Sequence, residues 1–180
     1  MSLITGHMDS YDRISKFSSG KLLMLGSQEN LTGKDPREIF HCSEYKTLDP
    51  DGGDFSLDLT GDLSIMNQTW DCVINIGTIE HIWDAHKAYS NCAKLVKVGG
   101  YFVGHAPVTG YPNHGIHVTS AGAILSFFRK NGFEIIDIWE TKWDHDRNTI
   151  LWHIAKKVDH VENFSVPTQI WENGRDAGFS

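Results

Sequence analysis

Between Trp70 and Val108 the hydrophobic period of the chain changes twice, and this limits the folds open to it. The run WDCVINIG (70–77) is dense in β-branched residues and closes on a glycine, as a fully buried strand does. From Ile79 the period becomes helical. Ile79, Ile82, Trp83, His86, Tyr89, Ala93 and Val96 fall at i, i+3, i+4, i+7, i+10, i+14 and i+17, one stripe of a helix. VGGYFVGHAPV (98–108) then supplies another strand after a Gly-Gly turn. Strand, helix, strand in this order belongs to an α/β architecture with a mainly parallel sheet.

The flanking segments extend the pattern. Tyr11, Ile14 and Phe17 predict a short amphipathic helix within 9–19, and KLLMLGS (21–27) reads as a buried strand ended by Gly26. Residues 28–43 carry Gly33 and Pro36 without a sustained period, which predicts loop with at most a short helix. EYKTLDPDGG (44–53) is a strand closing on an Asp-Pro-Asp-Gly turn, and DFSLDLTGDL (54–63) alternates like a further strand. Thr119 is the expected N-cap of a helix with Ala121, Ile124, Leu125 and Phe128 inward, stopped by Gly132 with Phe133 folded back on Phe128. EIIDIWETKW (134–143) and NTILWHIAKKV (148–158), parted by the polar DHDR, predict an antiparallel hairpin whose Trp139, Trp143 and Trp152 are core and sheet-face residues. The expected fold is a Rossmann-like doubly wound α/β sheet, mainly parallel, with an antiparallel C-terminal hairpin. Residues 1–20 form an N-terminal extension, 21–158 a single domain and 159–180 an irregular tail.

Composition narrows the function classes. A net charge of -7 argues against a general nucleic-acid or anionic-membrane binder. Cys42, Cys72 and Cys92 are odd in number and lack CxxC spacing, so they read as reduced thiols of a cytoplasmic-type compartment. No apolar run approaches the ~18 residues of a membrane span, and no signal-peptide profile is present. The Gly-x-Ser-x-Gly elbow and the Gly-x4-Gly-Lys-[Ser/Thr] phosphate loop are both absent, which ranks hydrolase and NTPase readings low.

In parallel sheets ligands sit beyond the carboxyl ends of the strands. Gly26-Ser27, Asp49, Asp58 and Gly77 to His81 all fall at that edge. WDCVINIGTIEHIWDAHKAYSNCAKLVKVGGYFVGHAPV resembles the fourth and fifth strands of class I S-adenosylmethionine-dependent methyltransferases. The resemblance rests on the aromatic-Asp pair Trp70–Asp71, on Ile79-Glu80-His81-Ile82, and on Leu95-Val96-Lys97-Val98-Gly99-Gly100, one residue longer than the family's Leu-Lys-x-Gly-Gly. It extends from about Lys21 to Val158, making 21–158 a methyltransferase-like domain, and implies S-adenosylmethionine as cofactor. By resemblance Asp49, followed by Pro50, holds the ribose hydroxyls, while Asp58 and Leu59 receive the adenine, with Asp62 as rival. Asn75 to Thr78, including Ile76 and Gly77, runs beside the methionine part, and Gly26 and Ser27 form the first loop. Glu80 shapes the cofactor pocket and His81 the acceptor side. The first loop departs from the family's Gly-x-Gly-x-Gly: only Gly26 is present, and Met24 stands where an acid is common.

Bland readings stand beside several of these. Asp49 also suits a turn before Pro50, Gly61-Asp62 a turn, Glu80 a first-turn acid that favours the helix dipole, and His81 a sheet-edge hydrogen bond. The acceptor loop is HAPVTGYPNHGIHVTS (105–120), where the family's small-molecule enzymes often carry a His-Gly. His114 is the candidate base or acceptor-orienting group, since an imidazole suits proton transfer near neutral pH. Tyr111, Asn113 and His117 line the acceptor pocket, and His105 reads as a satisfied structural histidine. His114-x-x-His117 as a metal pair is the competing reading; ten histidines make chance pairs common, and no metal is expected. The expected reaction is methyl transfer to a small molecule such as a sugar or metabolite. The alternative is a non-catalytic methyltransferase-like chain with lost or weakened cofactor binding.

Overall fold

The structure is a computed structural model that describes residues 2–3, 5–27, 29–30, 32–109, 114–143, 148–166, 169–172 and 175–179. Its centre is a six-stranded sheet of β1 (Lys21–Leu25), β2 (Glu44–Leu48), β3 (Trp70–Ile76), β4 (Val96–Thr109), β5 (Phe133–Trp143) and β6 (Asn148–Lys157), in the order β2-β1-β3-β4-β6-β5. The pairs β2/β1, β1/β3 and β3/β4 are parallel, and β4/β6 and β6/β5 antiparallel. The expected mainly parallel sheet with a C-terminal hairpin is therefore present. The DHDR turn lies outside the described residues.

Helices cover both faces, which is why β1 is apolar at every residue from Leu22 to Leu25. Leu22 and Met24 pack with Tyr11 and Ile14 of α1 (Met8–Ser15) and with Ile39 and Phe40 of α2 (Pro36–Phe40). Leu23 and Leu25 face the opposite layer. There Ala88, Tyr89 and Cys92 of α3 (Ala85–Lys94) meet Ile124, Phe127 and Phe128 of α4 (Ala121–Lys130). Arg13 of α1 ties this helix to the far edge: its Nε donates to Asp137 at 2.7 Å and its guanidinium lies over the Trp139 ring. Trp139 in turn stacks on the buried Trp152. Phe133 folds back on Phe128 at 5.1 Å between ring centres, as expected.

Four expectations need correction. In the tail expected to be irregular, Gln169–Glu172 and Arg175–Phe179 pair as antiparallel strands. The strand expected at 54–63 does not form; only an isolated bridge joins Leu48 to Phe55, so β2 is an edge strand. The aspartates of this stretch bind nearby backbone N–H groups instead: Asp54 takes Thr47, Asp58 takes Thr60 and Asp62 takes Ser64. Such side-chain bonds compete with a ladder. The helix expected from Ile79 is interrupted, with a 3-10 turn at Ile79–His81, an extended Ile82, and α3 starting only at Ala85. Asp84 caps α3 by accepting from Lys87 N at 2.9 Å, and Trp83 is 82% exposed rather than inward. Ser120, not Thr119, caps α4, accepting from Ala123 N.

Candidate functional site

The site is assembled where β1, β2, β3 and β4 end side by side. Gly26 and Gly77, the residues after β1 and β3, both have positive φ (83° and 70°), a conformation glycine takes without strain. Gly26 N donates to Leu48 O, and Ser27 N to Asp49 Oδ2 at 2.7 Å. The other oxygen of Asp49 accepts from Asp51 N at 2.9 Å. Asp49 thus fastens the first loop to the end of β2 and keeps acceptor capacity, since a carboxylate offers about four lone-pair sites. Pro50 closes the same turn, its carbonyl accepting from Ser56.

The loop after β3 is fixed by groups that the sequence reading did not single out as anchors. Asn75 is fully buried, and its Oδ1 accepts from Thr78 N and Ile79 N. Thr78 Oγ1 donates to Leu25 O at 2.8 Å, linking the ends of β3 and β1. Ile76 is buried in register with His105.

Next in the chain, Glu80 is only 3% exposed, and neither carboxylate oxygen has a hydrogen-bond partner among the described residues. Burial raises its pKa to about 7. Its backbone carbonyl is in use, accepting from Ile116 N at 2.7 Å and from His117 N at 3.1 Å. These two bonds draw the acceptor loop onto Glu80. Gly115 makes the approach close: a Cβ there would sit 3.0 Å from Glu80 O, at a φ of +71°. The His114 and His81 rings lie 5.0 Å apart, edge to face, and one ligand atom from each of Glu80, His81 and His114 falls within 4.8 Å of the others. His81 is exposed, and burial with the neighbouring His114 lowers its pKa.

His117 is turned elsewhere. Its Nε2 lies 2.8 Å from Trp83 O, so that nitrogen carries the proton. It borders a groove of about 350 Å³ between α3 and α4, with His86, Tyr89, Ile124 and Phe127. Asp58 and Leu59 belong to another cluster, where Asn91 of α3 donates to Leu59 O and Gly61 O. A larger cavity of about 580 Å³ opens there, at the C-terminal end of α3 and away from the strand ends that carry Gly26 and Gly77. Tyr111 and Asn113 lie outside the described residues.

His105 is fully buried, but its ring finds no hydrogen-bond partner among the described residues, contrary to the satisfied histidine expected. It packs on Trp152 at 4.6 Å and on His7 at 5.7 Å. Sequence reading passed over His7, because nothing in the spacing of an N-terminal residue reports a contact with β4.

The sequence matches no protein-family model and no curated protein. Solved structures do resemble it. The N-methyltransferase NodS from Bradyrhizobium japonicum WM9, in complex with S-adenosyl-L-homocysteine, superposes with a TM-score of 0.65 at 13% identity, covering 86% of this chain and 87% of that one. The chain has the class I methyltransferase fold. Burkholderia thailandensis 1,6-didemethyltoxoflavin-N1-methyltransferase gives a TM-score of 0.61 at 11% identity, with 84% and 78% covered. The [4+2]-cyclase SpnF gives 0.60 at 13%, with 84% and 80% covered. Within the class I methyltransferase fold, the strand ends carrying Gly26, Asp49 and Gly77 occupy the edge at which open α/β sheets take ligands.

Proposed function

We propose that this chain transfers a methyl group from S-adenosylmethionine to a small-molecule acceptor. The observation that carries the reading is the junction of Gly26, Ser27, Asp49 and Gly77 at adjacent strand ends, one turn from a buried carboxylate and two histidines. The residues fit the cofactor: two positive-φ glycines leave backbone exposed to a ligand, and Asp49 retains acceptor capacity toward paired hydroxyls. Gly26, Ser27, Asp49, Pro50, Ile76, Gly77 and Glu80 would hold it, while Asp58 and Leu59, set apart beside Asn91 of α3, are not assigned to it. Its sulfonium supplies an activated methyl group when bound.

On the acceptor side His81 lines the pocket, and His114 takes the acceptor's proton. Burial of Glu80 and the closure of Ile116 and His117 onto it support a site from which water is kept out. The acidic net charge favours a small molecule over nucleic acid. The three cysteines are buried and free, which supports a reducing, cytoplasmic compartment.

Titration calorimetry with S-adenosylmethionine and S-adenosylhomocysteine tests the reading. Binding heat and a raised melting temperature are expected. Neither at millimolar ligand would leave the second reading, a methyltransferase-like chain without effective cofactor binding. Two observations favour that alternative: the fully buried Met24 where the family has an acid, and the engagement of both Asp49 oxygens by backbone.

A further inference from the structure

We propose that Glu80, His81 and His114 form a site for one divalent first-row transition-metal ion. Two imidazoles and one carboxylate are a ligand set that zinc and iron sites use while leaving positions open for a further ligand. Here the three ligand atoms already lie within 4.8 Å of one another. A tetrahedron built on bonds of ~2.0–2.1 Å has edges of roughly 3.3 Å, so rotation of the two histidine rings closes the remaining gap. His81 is exposed and His114 half-buried.

A second observation points to a cation independently. Glu80 is 97% buried by accessible surface and both its oxygens lack a partner among the described residues, so the carboxylate needs either a proton or a positive charge beside it. Arg and Lys side chains commonly neutralise such a group, but no ion pair to Glu80 exists among the described residues. The backbone of the ligands is also anchored. Glu80 O holds Ile116 N and His117 N, and Gly115 sits against Glu80, which brings His114 onto the cluster. This differs from the His114-x-x-His117 pair considered from sequence, because His117 Nε2 is taken by Trp83 O. Metal binding does not rest on the methyl-transfer reading; with an ion bound His114 is a ligand and no longer the base, and the ion could polarise an acceptor oxygen as a Lewis acid.

The test uses the full chain, freed of metal by chelation and dialysis and titrated with Co²⁺, with visible absorption and equilibrium dialysis as readouts. One ion per chain is expected. His81→Ala, His114→Ala and Glu80→Gln should each weaken it by ~10²-fold or more, because losing even an outer-sphere partner costs about 10–100-fold. His160→Ala, at an exposed histidine elsewhere, should bind as the parent does. Failure of the parent chain to retain one equivalent overturns the proposal, as does unchanged binding in His81→Ala and His114→Ala. Glu80→Gln preserves shape and His81 is exposed, so melting curves without metal separate misfolding from ligand loss. A parallel S-adenosylhomocysteine titration keeps the two proposals apart: cobalt binding without nucleoside binding would remove the methyl-transfer reading and leave the metal site standing.

Discussion

At Asp49 each carboxylate oxygen accepts one backbone N–H, from Ser27 at 2.7 Å and from Asp51 at 2.9 Å. The residue holds the first loop before any ligand arrives. Asp49→Ala should therefore weaken S-adenosylhomocysteine by roughly 1–3 kcal/mol in calorimetry, the cost of a lost charge-assisted bond, and lower the melting temperature of the unliganded chain as well. Unchanged affinity would remove Asp49 from the site. Glu80 gives a sharper residue-scale expectation. Its folded pKa of about 7 lies above the ordinary 4.5, so the folded chain keeps a proton that the unfolded chain has released. The stability this contributes is complete below pH 4.5 and is lost as pH rises through 7. Glu80→Gln should match the parent near pH 4.5 and exceed it by up to about 3 kcal/mol at pH 8 in metal-free urea unfolding. A difference independent of pH would mean that the carboxyl is not desolvated. For His114, His114→Ala should lower turnover on an identified acceptor by ~10²–10⁴-fold with little change in cofactor affinity. Full turnover would exclude it from the chemistry.

Among the elements, α3 shows how local sequence and tertiary contact divide the work. Its start is decided locally, by Asp84 accepting from Lys87 N, and this shortens the helix that the apolar stripe from Ile79 predicts. Its end is decided at a distance. Lys157 of β6, 3% exposed, donates from Nζ to Ala93 O at 3.1 Å and Lys94 O at 3.3 Å, carbonyls that a helix terminus leaves open, and to Val96 O at 2.7 Å at the start of β4. Lys157→Met keeps the aliphatic stem and deletes the donors. It should cost about 1–3 kcal/mol in denaturant unfolding, with α3 amides exchanging faster. A neutral effect would show that water reaches those carbonyls. The stretch 54–63 is the converse case. Its alternation is real, but Asp58 and Asp62 each close a local turn and Asp54 bonds across to Thr47 of β2, so the strand is absent and β2 remains at the edge.

For the whole molecule, the face of the sheet covered by α1 carries His7 and His105 against Trp152, and the opposite layer holds His153 against Phe128. Burial depresses the pKa of all three imidazoles, to about 4 for His7 and about 3 for His153. A histidine with a lowered folded pKa contributes stability that is present above pH 6.5 and lost as pH falls toward the folded value. Over pH 4.5–6.5 the Glu80 carboxyl acts in the opposite sense, but three imidazoles outweigh one carboxyl. The unfolding free energy from urea titration should fall steeply on acidification from pH 6.5 to 4, and His153→Gln should make that fall shallower by roughly 3 kcal/mol. A flat free energy across this range would mean that the imidazoles are reached by solvent.

The order of apolar runs was sufficient to place β1, β3, β4 and the hairpin, because a strand buried on both faces must be apolar at every position and its ends must be marked by turn residues. Gly26, Asp49, Gly77 and Glu80 were legible for the same reason: the carboxyl end of each strand can be read from where the run stops. The sequence could not show that Asn75, Asn91 and Lys157 serve backbone groups in other elements, that Asp58 and Leu59 lie against α3, or that His7 meets His105. The pairings of Asn91, Lys157 and His7 join residues more than 30 positions apart, whereas Asn75 serves Thr78 N and Ile79 N close by and the bond of Asp58 to Thr60 N is local. The Glu80, His81 and His114 cluster is likewise tertiary. Two hydrogen bonds to one carbonyl bring the acceptor loop onto Glu80, and no periodicity records a contact that depends on where a loop closes.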